Sequence, residues 1–255
     1  MPRTMSNKRT APITATLAVV LIFSAAPLGV VAAMGAATEA EPATHPFVEL
    51  PTCKYKDIKT RFRGLGQWRK TLLDTNLKVG RAYKPRNLVS TSKAGISGGG
   101  TVRSFVIGDL KAMTRAARNV GKPFKVRSAY RSYRNQVRTF NYWVNQVGLV
   151  KARKVSARPG HSEHQLGTTL DLQSAGTNKA PWNYDDWAKT KAGRWLKRHA
   201  WEYGFILSYP KGKASEVCYS YEPWHYRYVG RAMAKNVHDS GQTLRMYLWQ
   251  NFESQ

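Results

Sequence analysis

Two short segments, far apart in the chain, together carry the residue types of a split metal-site pattern. The first runs Arg158-Pro159-Gly160-His161-Ser162-Glu163-His164-Gln165-Leu166-Gly167-Thr168-Thr169-Leu170-Asp171, and the second is Glu222-Pro223-Trp224-His225. Two histidines and an aspartate, with a nearby glutamate that need not be a ligand, suit a hydrolytic zinc site. Three protein ligands then leave a fourth position for water. A chain that uses both segments must fold so that they converge. If Thr168–Leu172 is a strand, Asp171 sits on it and His164 lies in the turn leading into it, where Gly160 and Gly167 permit tight backbone. Glu222 and His225 are three apart, and Pro223 stiffens the step between them.

Coordination chemistry suggests the roles. His164, Asp171 and His225 would hold Zn2+, and Glu222 would take a proton from the attacking water and return it to the leaving amine. An anion-binding group is then needed. Arg131, in Ser128-Ala129-Tyr130-Arg131-Ser132, offers a guanidinium fork for a developing oxyanion or a substrate carboxylate. His161 is set apart from the ligands, as a second-sphere or surface residue. Each fragment alone is a weak signal, and spacing alone leaves a metal hydrolase as one reading among several.

The net charge is +26, from 41 Lys+Arg against 15 Asp+Glu. Such a surface attracts polyanions. The basic residues are spread along the chain and no nucleic-acid-binding motif accompanies them. Anionic wall polymers or anionic lipid headgroups are therefore the expected partners, and nucleic acid is not. Arg3, Lys8 and Arg9 precede an uncharged stretch from Ala11 to Thr38. This is the layout of a secretory signal peptide, and the stretch is also long enough for an N-terminal membrane anchor. Either way the folded part is expected outside the cytoplasm, secreted or anchored. The two cysteines, Cys53 and Cys218, are expected to pair there, with two free thiols as the alternative.

Hydrophobic periodicity predicts helices over Trp68–Leu77, Ser104–Val120, Ser132–Val147, Thr190–Tyr203, Arg231–His238 and Thr243–Phe252. Strands are predicted over Phe124–Ser128, Phe205–Tyr209 and Val217–Tyr221. Gly98-Gly99-Gly100 reads as a flexible connector. Helices and strands mix without a repeating βα rhythm, which favours an α+β fold with an antiparallel sheet.

The ordered motifs from about Val126 to Gly230 closely resemble the VanY-type D-alanyl-D-alanine carboxypeptidases, of the zinc peptidase family that also includes the VanX dipeptidases. They are Ser128-Ala129-Tyr130-Arg131-Ser132 with Gln136, Gly160–Gly167 running to Asp171, Tyr203-Gly204-Phe205, and Glu222–Gly230. The resemblance implies zinc on His164, Asp171 and His225, Glu222 as base, and Arg131 facing the scissile carbonyl or the terminal carboxylate. It also links Gln136 and Ser162 to substrate binding. The implied fold is a small antiparallel sheet flanked by helices, shared with hedgehog-type domains. Ala129 and Thr169 depart from the residues many members carry, which bears on substrate fit rather than on the metal. The expected layout is a signal or anchor over 1–40, a linker and lead-in packing on the core over 41–101, and a catalytic domain over 102–255. The expected activity is hydrolysis of the terminal D-Ala-D-Ala bond of peptidoglycan stem peptides. An L,D-carboxypeptidase, a wall endopeptidase and a non-catalytic wall-binding module are the alternatives, because pocket shape rather than the ligand set decides which bond is cut.

Overall fold

The computed structural model describes residues 48–255, so the expected signal or anchor lies outside the described residues. In chain order the strands are β1 (Ile58–Lys59), β2 (Leu77–Lys78), β3 (Leu88–Ser90), β4 (Thr101–Arg103), β5 (Phe124–Ser128), β6 (Thr169–Ser174), β7 (Phe205–Leu207) and β8 (His225–Tyr228). The helices are α1 (Ile107–Asn119), α2 (Tyr133–Val147), α3 (Leu149–Val155), α4 (Lys191–His199), α5 (Ala214–Val217), α6 (Arg231–Ser240) and α7 (Leu244–Leu248). Strands β5, β6, β8 and β7 form an antiparallel sheet in that order.

Side chains alternate across this sheet, and the alternation divides core from chemistry. Phe124, Val126, Leu170, Leu172 and Tyr226 point to one side and are almost fully buried. They share a cluster with Leu110, Met113 and Ala117 of α1 and with Ala192, Trp195 and Leu196 of α4. Each buried leucine there contributes about 2 kcal/mol relative to an exposed one. Asp171, His225 and Arg227 occupy the alternate positions and face the other way. The register pairs Ser128 with Asp171 and Asp171 with His225, so one row across three strands carries all three residues. A register shift between Val126 and Ser128 brings Ser128 into that row.

Helix α2 begins at Ser132, whose hydroxyl accepts from the Asn135 amide as an N-cap. Its buried face carries Gln136 and Phe140. The segment before β4 is tied firmly to the rest. Trp68 lies in the main core, Leu72 packs with Leu244 and Leu248 of α7, and Leu73 packs with Leu166. Cys53 and Cys218 form a disulfide.

Three local expectations are corrected, and two elements were not foreseen. Trp68–Leu77 is not a helix: a 3-10 turn over Leu65–Gln67 is followed by turns. Leu72 and Leu73 diverge into different clusters, and the Asp74 carboxylate accepts from the amides of Asn76 and Leu77, a side-chain turn that competes with helix. Val217–Tyr221 is not a strand. Both neighbour positions of β8 are already filled by β6 and β7, and Val217 and Tyr219 pack with Tyr209 instead. Strand β8 and helix α3 were not predicted. The Gly98–Gly100 run is no flexible connector: Gly98 forms a bridge with Val126, and a Cβ on it would lie 1.9 Å from the Val126 carbonyl oxygen.

Candidate metal centre

Strands β6 and β8 deliver two of the three expected ligands from the same row. The third, His164, lies in a 3-10 turn over Glu163–Leu166 that ends at Gly167 with φ 73°. A left-handed residue is needed there, and Gly167 closes the turn by donating its amide to the His164 carbonyl. The Arg131 amide donates to the same carbonyl at 3.1 Å, which ties the arginine's backbone to the ligand turn.

One donor atom from each of His164, Asp171 and His225 lies within 4.8 Å of the others, and all three residues are buried. His164 Nδ1 donates to the Ala129 carbonyl at 2.7 Å, which leaves Nε2 as an acceptor 3.2 Å from Asp171 Oδ2. His225 Nδ1 lies 3.1 Å from Asp171 Oδ1 and 3.5 Å from Glu222 Oε2. Two imidazoles and a carboxylate form a donor set that zinc accepts, with each ring aimed by a bond from its other nitrogen. The residues present therefore fit the metal.

The electrostatics agree. Burial lowers the pKa of His164 and favours the neutral ring a metal needs. At His225 burial works the same way, but the hydrogen bonds the ring donates to the Asp171 and Glu163 carboxylates prevail and raise it to about 10. The carboxylates that favour a proton on this ring equally favour a divalent cation beside it. Asp171 is buried, which opposes ionisation, yet His164 and His225 hold its carboxyl well below the usual carboxylate range. Glu222 goes the other way. Burial, supported by the charge of Asp171, raises it to about 7 against the pull of His225 and Arg131. That is the value of a group that exchanges protons near neutrality.

Arg131 reaches this centre with Nη2 3.7 Å from Asp171 Oδ2. Its guanidinium is held by Ser128 Oγ and Gln136 Oε1, each at 3.0 Å, and remains 20% exposed. Gln136 is fully buried and spends its amide on the Ala157 carbonyl at 2.6 Å. Gln136, expected to bind substrate, stands beside Arg131 and orients its guanidinium. Ser162 is buried beside the ligand turn, and its side chain does not cap that turn. His161 stays outside the cluster. It is buried rather than on the surface, bonded to the Asp74 carbonyl and to the Asp57 carboxylate.

The sequence reading assigned no role to Glu163, Ser208 or Arg227. Glu163 Oε2 lies 3.0 Å from His225 Nε2 and accepts from Ser208 Oγ at 2.6 Å, while Oε1 accepts from Arg227 Nη1 at 2.9 Å. Burial opposes ionisation of Glu163, but Arg227 and then His225 overcome it and set its pKa at about 2. The available signal was the aromatic–charged alternation His225-Tyr226-Arg227-Tyr228. It places an arginine on the ligand's face of a buried strand, where it needs a carboxylate.

A family model described as VanY, D-alanyl-D-alanine carboxypeptidase, matches residues 100–231. The chain is 40% identical over 146 residues to the putative carboxypeptidase YodJ of Bacillus subtilis, covering 57% of this chain and 53% of that protein. It thus spans about half the length of that relative. Among solved structures it is similar to the LdcB LD-carboxypeptidase, with a TM-score of 0.64 and 29% identity over 77% of this chain and 98% of that one. A vancomycin-resistance D,D-pentapeptidase VanY, solved as a mutant in complex with Zn(II), matches with a TM-score of 0.61 and 28% identity, covering 71% of this chain and 99% of that one.

Proposed function

This chain belongs to the VanY family of D-alanyl-D-alanine carboxypeptidases, and from that premise we propose that it is an exported zinc carboxypeptidase releasing the terminal D-alanine of peptidoglycan stem peptides. The observation that carries the reading is the convergence of His164, Asp171 and His225 beside Glu222 and Arg131. His164, Asp171 and His225 would hold zinc, which when bound supplies a Lewis acid that polarises the scissile carbonyl and acidifies water.

The chain's own residues do the rest. Glu222 accepts a proton from the attacking water as its oxygen bonds to the carbonyl carbon. As the C–N bond breaks, Glu222 passes that proton to the departing amine, so its carboxylate is restored. Arg131 offers two N–H groups to the carbonyl oxygen or to the substrate's terminal carboxylate. Ser128 and Gln136 fix the fork in place, and Ser162, buried beside the ligand turn, would bind substrate as the family resemblance implies.

Export is supported by the N-terminal basic and apolar pattern, which has the layout of a secretory signal peptide, with a retained anchor as the alternative. The basic surface would meet anionic wall polymers or anionic lipid headgroups. The absence of any Asp or Glu between Asp109 and Glu163, a stretch that includes α2 and α3, supports this. The likeness to an LD-carboxypeptidase favours a second reading, in which the same site cuts an L,D bond.

The test is turnover by the purified chain on defined stem peptides with mass readout. Release of one D-alanine from a pentapeptide ending in D-Ala-D-Ala is expected, lost on chelation and restored by zinc. Cleavage of the tetrapeptide but not the pentapeptide would select the L,D reading, and no cleavage of either with zinc bound would sink both.

A further inference from the structure

His225 has two ring nitrogens, and the metal site can use only one of them. Nδ1 faces Asp171 Oδ1 at 3.1 Å, while Nε2 lies 3.0 Å from Glu163 Oε2 across the ring. Each carboxylate can accept from the ring, and a cation held between Nδ1 and Asp171 would displace the proton on that side only, leaving Nε2 as the donor to Glu163 and the Nδ1 lone pair facing the metal. Glu163 is not available as a ligand, because both its oxygens already serve protein donors: Ser208 Oγ at 2.6 Å and Arg227 Nη1 at 2.9 Å. Arg227 is fully buried, and its Nη2 donates to the carbonyls of Trp68 and Thr71, each at 2.8 Å. The lead-in segment thus holds Arg227, Arg227 and Ser208 hold Glu163, and Glu163 meets the ring.

We infer that Glu163 is the positioning residue of His225, selecting its tautomer and aiming Nδ1 at the metal, with Arg227 and Ser208 holding Glu163 for that purpose. The inference rests on the zinc reading above. Two geometric facts carry it. The carboxylate meets the nitrogen that points away from Asp171. It also lies next in sequence to His164, so one 3-10 turn supplies a ligand with one residue and aims the other histidine with its neighbour. A buried ion pair kept for stability alone is a poor bargain, since apolar replacements of similar volume often match it.

The test is metal affinity rather than turnover. The full chain, stripped by chelator, is titrated with zinc against a chromophoric competitor and with Co2+ followed by visible absorption. Glu163→Gln is expected to weaken zinc binding by about 10–100-fold and to alter the cobalt bands while far-UV dichroism persists. Removing Arg227's partner also threatens folding, so Ser208→Ala is measured beside it. That variant leaves every charge in place, and about a several-fold loss of zinc affinity is expected. If Glu163→Gln does not fold, Ser208→Ala decides. A purely structural role would lower the melting temperature of the metal-free variants and leave the zinc affinity and cobalt spectrum of the folded protein at parent values. That result would overturn the inference and leave the proposed function standing. A parent chain that binds no zinc would overturn the metal reading and this inference with it.

Discussion

Carboxylates of the same chemical type take opposite roles here because their neighbours differ. Glu222 and Glu163 both lie beside His225, but only Glu163 also pairs with a guanidinium. Burial therefore prevails at Glu222, at about 7, and the arginine prevails at Glu163, at about 2. Glu222→Gln keeps the shape and loses the proton acceptor. Turnover on the pentapeptide should fall by about 10²–10⁴-fold, with zinc affinity changed little. Loss of metal in that variant would instead make Glu222 a ligand. The depressed pKa of Glu163 makes a second prediction. Its folded value lies below the ordinary 4.5, so it contributes stability above that pH and loses it as pH falls toward about 2. Urea titrations of the metal-free protein across this window should lose on the order of a few kcal/mol. Asp171 shifts in the same direction, so Glu163→Gln should flatten the slope only in part.

At the scale of elements, the site depends on close backbone approach around β5. Gly98 bridges to Val126, and a Cβ on Gly100 would come within 2.6 Å of Ala129 Cβ. The carbonyl of Ala129 orients His164. Gly98→Ala cannot keep this contact without moving β5. It should lower the melting temperature by about 4 °C or more, the shift that ~1–2 kcal/mol produces in a domain of this size. Gly99 has open space around it, so Gly99→Ala should leave the melting temperature unchanged. Equal effects at both positions would show that the run acts only through chain flexibility. The segment was legible as glycine-rich but not as a packing surface, because close approach is a property of two strands and the pattern describes one. The amphipathic helices α1 and α2 and the strand β5 were legible, since their periodicity is set by a single buried side. Strand β8 escaped because both of its faces are buried, one by aromatics and one by the charged network.

Across the whole molecule, the disulfide joins residues 165 apart, from the lead-in to the segment before Glu222. Cross-linking so long a loop removes unfolded-state entropy worth about 5 kcal/mol in the chain-entropy model. The double variant Cys53→Ala/Cys218→Ala should lose up to that amount in urea unfolding, and an unchanged midpoint would contradict the model for this chain. The lead-in also supplies the carbonyls that hold Arg227, so its packing and the metal site are linked through Trp68 and Thr71. By itself the sequence offered the candidate chemical kit: the donor types, the proposed base and anion-binding arginine, the expected cysteine pair and the α+β class. Residue type fixes coordination and acid–base chemistry, and periodicity fixes which side of an element is apolar. Only the tertiary structure decided that Ser128, Asp171 and His225 share one row, that Gln136 stands beside Arg131, and that Glu163 turns His225. Those relations depend on strand register and on burial between distant segments, which no local pattern of residues records.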